Sequence, residues 1–232
     1  TGFYVRGAGE TDGPLGAWIL IQVLEKLGFL PVVVTDQYTY HYFSGEKVRC
    51  VCIPLINSRE CLETASMETV LERLDPVGMV SVERCGKNGD GDYTNMKGES
   101  IKNHTAPVDE LFELAGKYGI QTIGIGDGGN EIGMGNLANE IGGLLPVTPC
   151  IVKTDHLLLG TVSNWAAYGL GRTLELVSGM QLMPPVKKLT YFFDRIVSMG
   201  SVDGITGENV MTVDGFSEGK EVEIYLEILK SV

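Results

Sequence analysis

Asp127, Asn130 and Glu131 stand together in the segment TIGIGDGGNEIGMG (122–135), where a short β-branched run gives way to a glycine-dense loop. Two carboxylates and an amide at this spacing could hold a hard cation or move protons, provided the backbone bends tightly enough to aim them inward. Glycine permits such bending and is costly to order, so its density around charged side chains points to a backbone folded closely about something small. Glu10 and Asp12, in GETDGP (9–14), form a second group. A capped helix start, with acids favoured by the helix dipole, explains Asp12 but explains Glu10 less well. The third group is ERCG (83–86) followed by DGDYTN (90–95). A surface loop with local ion pairs would account for most of it, yet Arg84 is well suited to grip a carboxylate in a bidentate fork. Ser163 and Asn164 open a hydrophobic helix, either as its caps or as ligands for a substrate. The histidines His41, His104 and His156 show no metal-ligand spacing.

Nucleotide chemistry is poorly supported. Residues 124–129 formally match G-x-G-x-x-G after a strand. Asp127 inside that turn would repel a pyrophosphate, however, and Gly133 and Gly135 interrupt the helix that should follow. No G-x-x-x-x-G-K-[ST] exists, so no nucleotide cofactor is expected.

The elements that must position these groups alternate between helix and strand. Helical spacing is expected over 12–28, 59–74, 108–118, 162–177, 186–199 and 218–229. Strands are expected at 31–35, 48–53, 78–82 and 121–125, with a weaker one at 151–154. Alternation of this kind predicts an α/β fold, a mostly parallel sheet with helices on both faces, as a single domain over 1–232. Such sheets bind ligands beyond the carboxyl ends of their strands. Asp36, Glu83-Arg84, Asp127 and Asp155 all follow expected strands, so Glu83, Asp127 and Asp155 are expected to gather at one edge.

Charge narrows the partners. Against 18 Lys and Arg stand 30 Asp and Glu, a net charge of −12. That balance argues against nucleic acid and anionic membranes and suits an enzyme acting on a small molecule in a cytoplasm. The best apolar run, 17–34, is broken by Gln22, Glu25 and Lys26, so no membrane span is expected. Five cysteines without C-x-x-C spacing (Cys50, Cys52, Cys61, Cys85, Cys150) suggest reduced thiols rather than a disulfide framework or zinc site. The chain opens on Thr-Gly-Phe rather than Met, so its natural start, and any targeting segment, is expected upstream. A homodimer is a base-rate expectation only.

Taken in order, GETDGP (9–14), ERCG (83–86), DGDYTN (90–95), GIGDGGNEIGMG (124–135), SNW (163–165) and VDG (213–215) resemble the C-terminal domain of the D-glutamate cyclase family over nearly the whole chain. The resemblance implies a lyase that converts D-glutamate to 5-oxo-D-proline with loss of water. Longer members carry a further N-terminal domain and reside in mitochondria, which makes the mitochondrial matrix the alternative compartment. The chemistry must free the amine of protons and neutralise a poorly electrophilic carboxylate. Asp12, Asp127 and Glu131 are the candidate acids and bases, with Arg84 as carboxylate clamp. Glu83, Asn95, Asn130, Ser163 and Asn164 are candidate substrate ligands. Two unit charges about 4 Å apart repel by roughly 4 kcal/mol at an effective dielectric near 20, so acids facing a dicarboxylate need a cation. Charge balance therefore suggests Mg²⁺ or Mn²⁺ on Glu10, Asp12, Asp127 and Glu131. A metal-dependent phosphoester hydrolase, or a non-catalytic amino-acid or metal-binding domain, would draw on the same residues.

Overall fold

A computed structural model describes residues 1–58, 66–145 and 147–231. The chain begins with a short antiparallel pair, β1 (Tyr4–Val5) and β2 (Ala8–Gly9), before helix α1 (Pro14–Lys26). There follow β3 (Val32–Thr35), the short α2 (Tyr40–Phe43), β4 (Arg49–Cys52), α3 (Met67–Leu74) and β5 (Gly78–Val82). Next come α4 (Asp109–Tyr118), β6 (Gln121–Gly126), α5 (Ala138–Leu144), β7 (His156–Leu159) and α6 (Ser163–Ser178). The chain closes with α7 (Val186–Ser198), the hairpin β8 (Thr212–Val213) and β9 (Phe216–Ser217), and α8 (Glu218–Lys230).

The local signals are ordinary ones. Proline opens α1, where its missing N–H costs nothing. Gly119 and Gly179 end α4 and α6 in the left-handed conformation. Ser66 and Ser217 accept backbone N–H bonds at the starts of α3 and α8. The helix expected over 59–74 is present from Met67; residues 59–65 lie outside the described residues.

Parallel pairing dominates, though not in one sheet. β3 pairs with β4, and a separate sheet runs β5-β6-β7, both parallel throughout. Two hydrophobic clusters pack around them. One joins α1, α6 and α7 through Leu15, Trp18, Ile19, Tyr168 and Phe192, with Val82 and Ile125 from the sheet. The other gathers Leu71, Leu111, Phe112 and Ala115 around Ile132 and Val152, with Met79 and Leu157 from the strands packed against it. Among the described residues, no helix is long and apolar enough to cross a membrane.

One strand is displaced from its expected place. Residues 151–154 form no strand; β7 begins at His156 instead. The extended 151–154 segment is tied sideways, with the Val152 carbonyl accepting the N–H groups of Gly133 and Gly135. Asp155 therefore precedes β7 rather than following a strand. Its carboxylate accepts bonds from the N–H and hydroxyl of Thr122, near the start of β6. From there to Asp127 is roughly 16 Å of strand. Asp155 does not join the other acids at the carboxyl edge.

Candidate functional site

The first support for the site is a reciprocal cap between two helices. Oδ1 of Asn164 accepts the N–H groups of Gly13 and Gly16 at the start of α1, at 2.9 and 2.7 Å. Asp12 returns the arrangement, accepting the N–H groups of Ser163 and Asn164 at the start of α6, at 2.9 and 2.8 Å. Close approach makes this feasible: a Cβ on Gly16 would lie 2.7 Å from the Cβ of Ala167. Both helices thus direct the positive ends of their dipoles at one place, which favours negative charge there.

Carboxylates fill that place. Glu83 leaves β5 with φ 43°, a left-handed conformation uncommon for glutamate, and accepts the Ser163 hydroxyl at 2.5 Å. Asp127 follows β6 directly, and its Oδ2 is buried without a hydrogen-bond partner. Glu131 folds back onto its own loop, accepting the N–H groups of Gly128 and Gly129, both at 2.8 Å. The glycines are needed for this fold-back. A Cβ on Gly128 would stand 2.9 Å from Glu131 Oε1, and one on Gly124 only 2.6 Å from the Ile132 carbonyl. The loop is bent closely about its own glutamate and its own strand. Glu10 and Asp214 complete the group.

Crowding in a dry site raises every one of these acids. Burial holds Glu10 and Asp12 well above the ordinary carboxylate range, and Asp214 and Asp127 add repulsion to both. Burial, then Glu131 and Asp127, does the same to Glu83. Asp127 is pushed up to about 8 by burial and by Glu131 and Asp214. Asp214 reaches about 6 through burial and Asp203. Glu131 is also raised by burial, against which its backbone N–H bonds pull it down. Groups held near neutral pH in this way are suited to giving and taking protons.

These acids border a cavity of about 390 Å³ whose lining includes Glu10, Glu83, Asp127, Asn130, Glu131 and Asp214. Asn130 is anchored by donating to the Thr94 carbonyl, and Asn95, which also lines the cavity, holds the turn to Glu99. Arg6 and Lys97, both exposed, border the same cavity. His104 does too, stacked on Tyr4 at 4.2 Å.

Several residues take other parts than their sequence suggested. The Arg84 guanidinium is buried and committed to Asp36 at 2.6 Å and to the carbonyls of Gly2 and Ala106. It acts as a strut under the site: both Nη atoms are bound to protein acceptors, while the buried Nε has no partner. Arg84→Met should therefore lower unfolding stability by roughly 3–5 kcal/mol, because Asp36 would remain buried without its partner. Urea denaturation measures this, and adding Asp36→Asn should recover part of the loss. Asn164 is fully buried and spends its amide on the α1 cap and the Thr11 carbonyl, so it positions rather than lines. Ser163 is buried as well, its hydroxyl bound to Glu83. Glu10 and Glu131 lie outside the one compact three-acid group among the described residues, which is Asp12, Glu83 and Asp127, each offering an oxygen within 4.8 Å of the others.

Asp214 was not singled out as a site residue. Its signal was local: Asp214-Gly215 is the turn between β8 and β9, with φ of 49° and 79°, the left-handed pair that Asp-Gly favours in a two-residue hairpin. Arg6 and Lys97 carried no signal, being isolated surface cations in the sequence.

The chain is similar to known proteins over most of its length. A family model described as "D-glutamate cyclase-like, C-terminal" matches residues 1–229. The human protein named "D-glutamate cyclase, mitochondrial" is 31% identical over 184 residues, covering 72% of this chain. The aligned region covers only 30% of that relative's length.

Proposed function

This chain belongs to the D-glutamate cyclase-like, C-terminal family, and from that premise we propose that its acid-lined cavity is a lyase site converting D-glutamate to 5-oxo-D-proline and water. The observation that carries the reading is the convergence of Glu10, Glu83, Asp127, Glu131 and Asp214 on one small cavity.

The reaction balances without outside reagents. The amine nitrogen bonds to the γ-carboxyl carbon, one carbon–oxygen bond breaks, and two protons from the ammonium depart with that oxygen as water. An enzyme needs groups that take protons from nitrogen and return them to oxygen near neutral pH. Asp127 is the proposed acceptor and Asp214 its proposed relay partner. Glu131 is held by backbone N–H groups and fixes the loop that aims Asp127.

A divalent cation is part of the proposal. Two oxygens on one such ion, at about 2.1–2.4 Å each, can be no further apart than roughly 4.8 Å, and Asp12, Glu83 and Asp127 meet that limit. The donors are all oxygens, which suits Mg²⁺ or Mn²⁺, and Asp127 Oδ2 lacks any other partner. When bound, the ion would offset the carboxylate charge and polarise the substrate carboxyl.

The compartment proposed is the cytoplasm, with the mitochondrial matrix as the alternative in view of the human relative's name.

Turnover assays on the purified chain test the reading. D-glutamate should yield 5-oxoproline, L-glutamate much less, and EDTA should suppress the reaction at least tenfold. Hydrolysis of a generic phosphoester with no cyclisation would instead favour metal-dependent phosphoester chemistry. Binding without any turnover would leave an amino-acid-binding domain.

A further inference from the structure

Glu10 is left over by the metal group, and its surroundings are unusual for a glutamate. It is buried to 6% exposure, and its Oε1 has no hydrogen-bond partner. A carboxyl stranded in this way either keeps a proton or is met by a cation. Among the described residues, no lysine or arginine pairs with it. Beside it, Gly204 leaves a notch in the cavity lining. A Cβ there would stand 2.4 Å from Glu10 Oε2 and 2.9 Å from Asp214 Oδ1, so both oxygens converge on the space that glycine leaves open. Asp214 is held toward it by a left-handed turn, φ 49°. The loop carrying Gly204 is braced by Asp203, whose carboxylate accepts the N–H groups of Ile205, Thr206 and Gly215.

We propose that Glu10, Asp214 and the Gly204 notch form a recognition pocket for a primary ammonium group, so that the cavity selects amino acids over plain carboxylic acids. The chemistry favours ammonium over a second metal ion. A primary ammonium has three donors and is satisfied by three acceptor oxygens. Glu10 and Asp214 belong to no compact three-acid group among the described residues, the one such group being Asp12, Glu83 and Asp127. The opposite side of the ligand has its complement too: Arg6 and Lys97 border the same cavity at its exposed rim, where a carboxylate would meet them. Arg6 is tethered there through the Thr206 carbonyl, in the same loop as the notch. A bound amino acid therefore lies with its ammonium inward and its α-carboxylate toward the rim, which leaves the side-chain carboxyl to the cation proposed above. That places nitrogen beside the acids proposed to accept its protons.

This inference rests on the reading that the cavity takes a small amino acid, but its test does not depend on turnover. Calorimetric titration with two matched pairs separates the possibilities: D-glutamate against glutarate, and 4-aminobutyrate against butyrate, all in saturating Mg²⁺. In each pair the first member carries an ammonium that the second lacks. The parent protein should bind the ammonium-bearing member of at least one pair tenfold or more tightly. Glu10→Gln should erase most of that preference without weakening the plain acid. Gly204→Ala, which fills the notch and pushes the Glu10 carboxyl aside without removing a charge, should do the same. Preference for 4-aminobutyrate with no D-glutamate turnover would keep the pocket and sink the cyclase reading. Equal binding within both pairs, no binding of any of the four, or equal weakening of both members by Glu10→Gln would overturn the pocket. So would a second equivalent of bound Mn²⁺ that disappears in Glu10→Gln, which would give the notch to a metal.

Discussion

Asp127→Asn is expected to abolish Mn²⁺ binding and to lower D-glutamate turnover at least a thousandfold, while the protein stays folded. The substitution preserves size and hydrogen-bonding reach but removes one ligand oxygen's charge and the proposed proton acceptor. Loss of a general base alone is worth about 10²–10⁴ in rate, and loss of the cation would add to it. Stability should move the other way. Asp127 is surrounded by Asp12, Glu131 and Asp214, and burial with their charge holds its carboxyl up to about 8. Removing that charge relieves repulsion, so in EDTA at pH 8 the variant should melt higher than the parent by a few degrees, about 1 kcal/mol corresponding to some 2–4 °C at this size. A gain in stability joined to loss of function is the signature of a site strained for its chemistry. Calorimetric titration with Mn²⁺, a turnover assay and thermal melting in EDTA measure the three parts. Unchanged Mn²⁺ affinity in the variant would remove Asp127 from the metal group.

The metal-free protein should lose stability as pH rises from about 5 to 8, the reverse of the usual acid denaturation in this range. Unfolded, Asp127 and Asp214 titrate near 3.8; folded, they titrate near 8 and near 6. Between the two values the native state keeps its proton and the unfolded state has lost it. The folded state is then favoured most below the unfolded pKa, and that advantage declines until pH passes the folded value. One pH unit within the window is worth up to about 1.4 kcal/mol per group. Mutual coupling and partial hydration reduce this, so a fall in melting temperature of roughly 5–10 °C from pH 5.5 to 8.5 is expected. Divalent cation should flatten or reverse the slope, because it binds the ionised native cluster and nothing equivalent in the unfolded chain. Melting in EDTA and in Mg²⁺ across that range checks both parts. A melting temperature that rises with pH in EDTA would show that the cluster ionises freely. Asp127→Asn should reduce the slope.

Local sequence determined the elements and the loops that carry acids. Period, caps and glycine stops placed α1, α4, α6, α7 and α8 to within about two residues, because those signals act within a turn or two of where they stand. The β-branched runs placed β3 to β6, and with them Glu83 and Asp127 at strand ends. Asp12, Asp127 and Glu131 were legible as acids in loops at element ends for the same reason.

Direction and long-range company were decided by the tertiary structure. Glu83 and Arg84 are neighbours in sequence, yet one backbone turn at Glu83 gives its carboxyl to the acid cluster and leaves the guanidinium to Asp36, 48 residues away in the chain. Nothing local says which of the two faces the cavity. Asp155 sits in a run that looks like a strand, but side bonds from Gly133 and Gly135 shift the true strand past it and put the acid at the other end of β6. Asn164 presents a cap motif in sequence, and only the approach of α1 and α6 reveals that it caps a helix 148 residues away. Asp214 enters last, from a hairpin some 200 residues after Glu10. A carboxylate's role here depends on which charges and dipoles share its dry space, and that is a property of packing between distant segments, which no short window of sequence encodes.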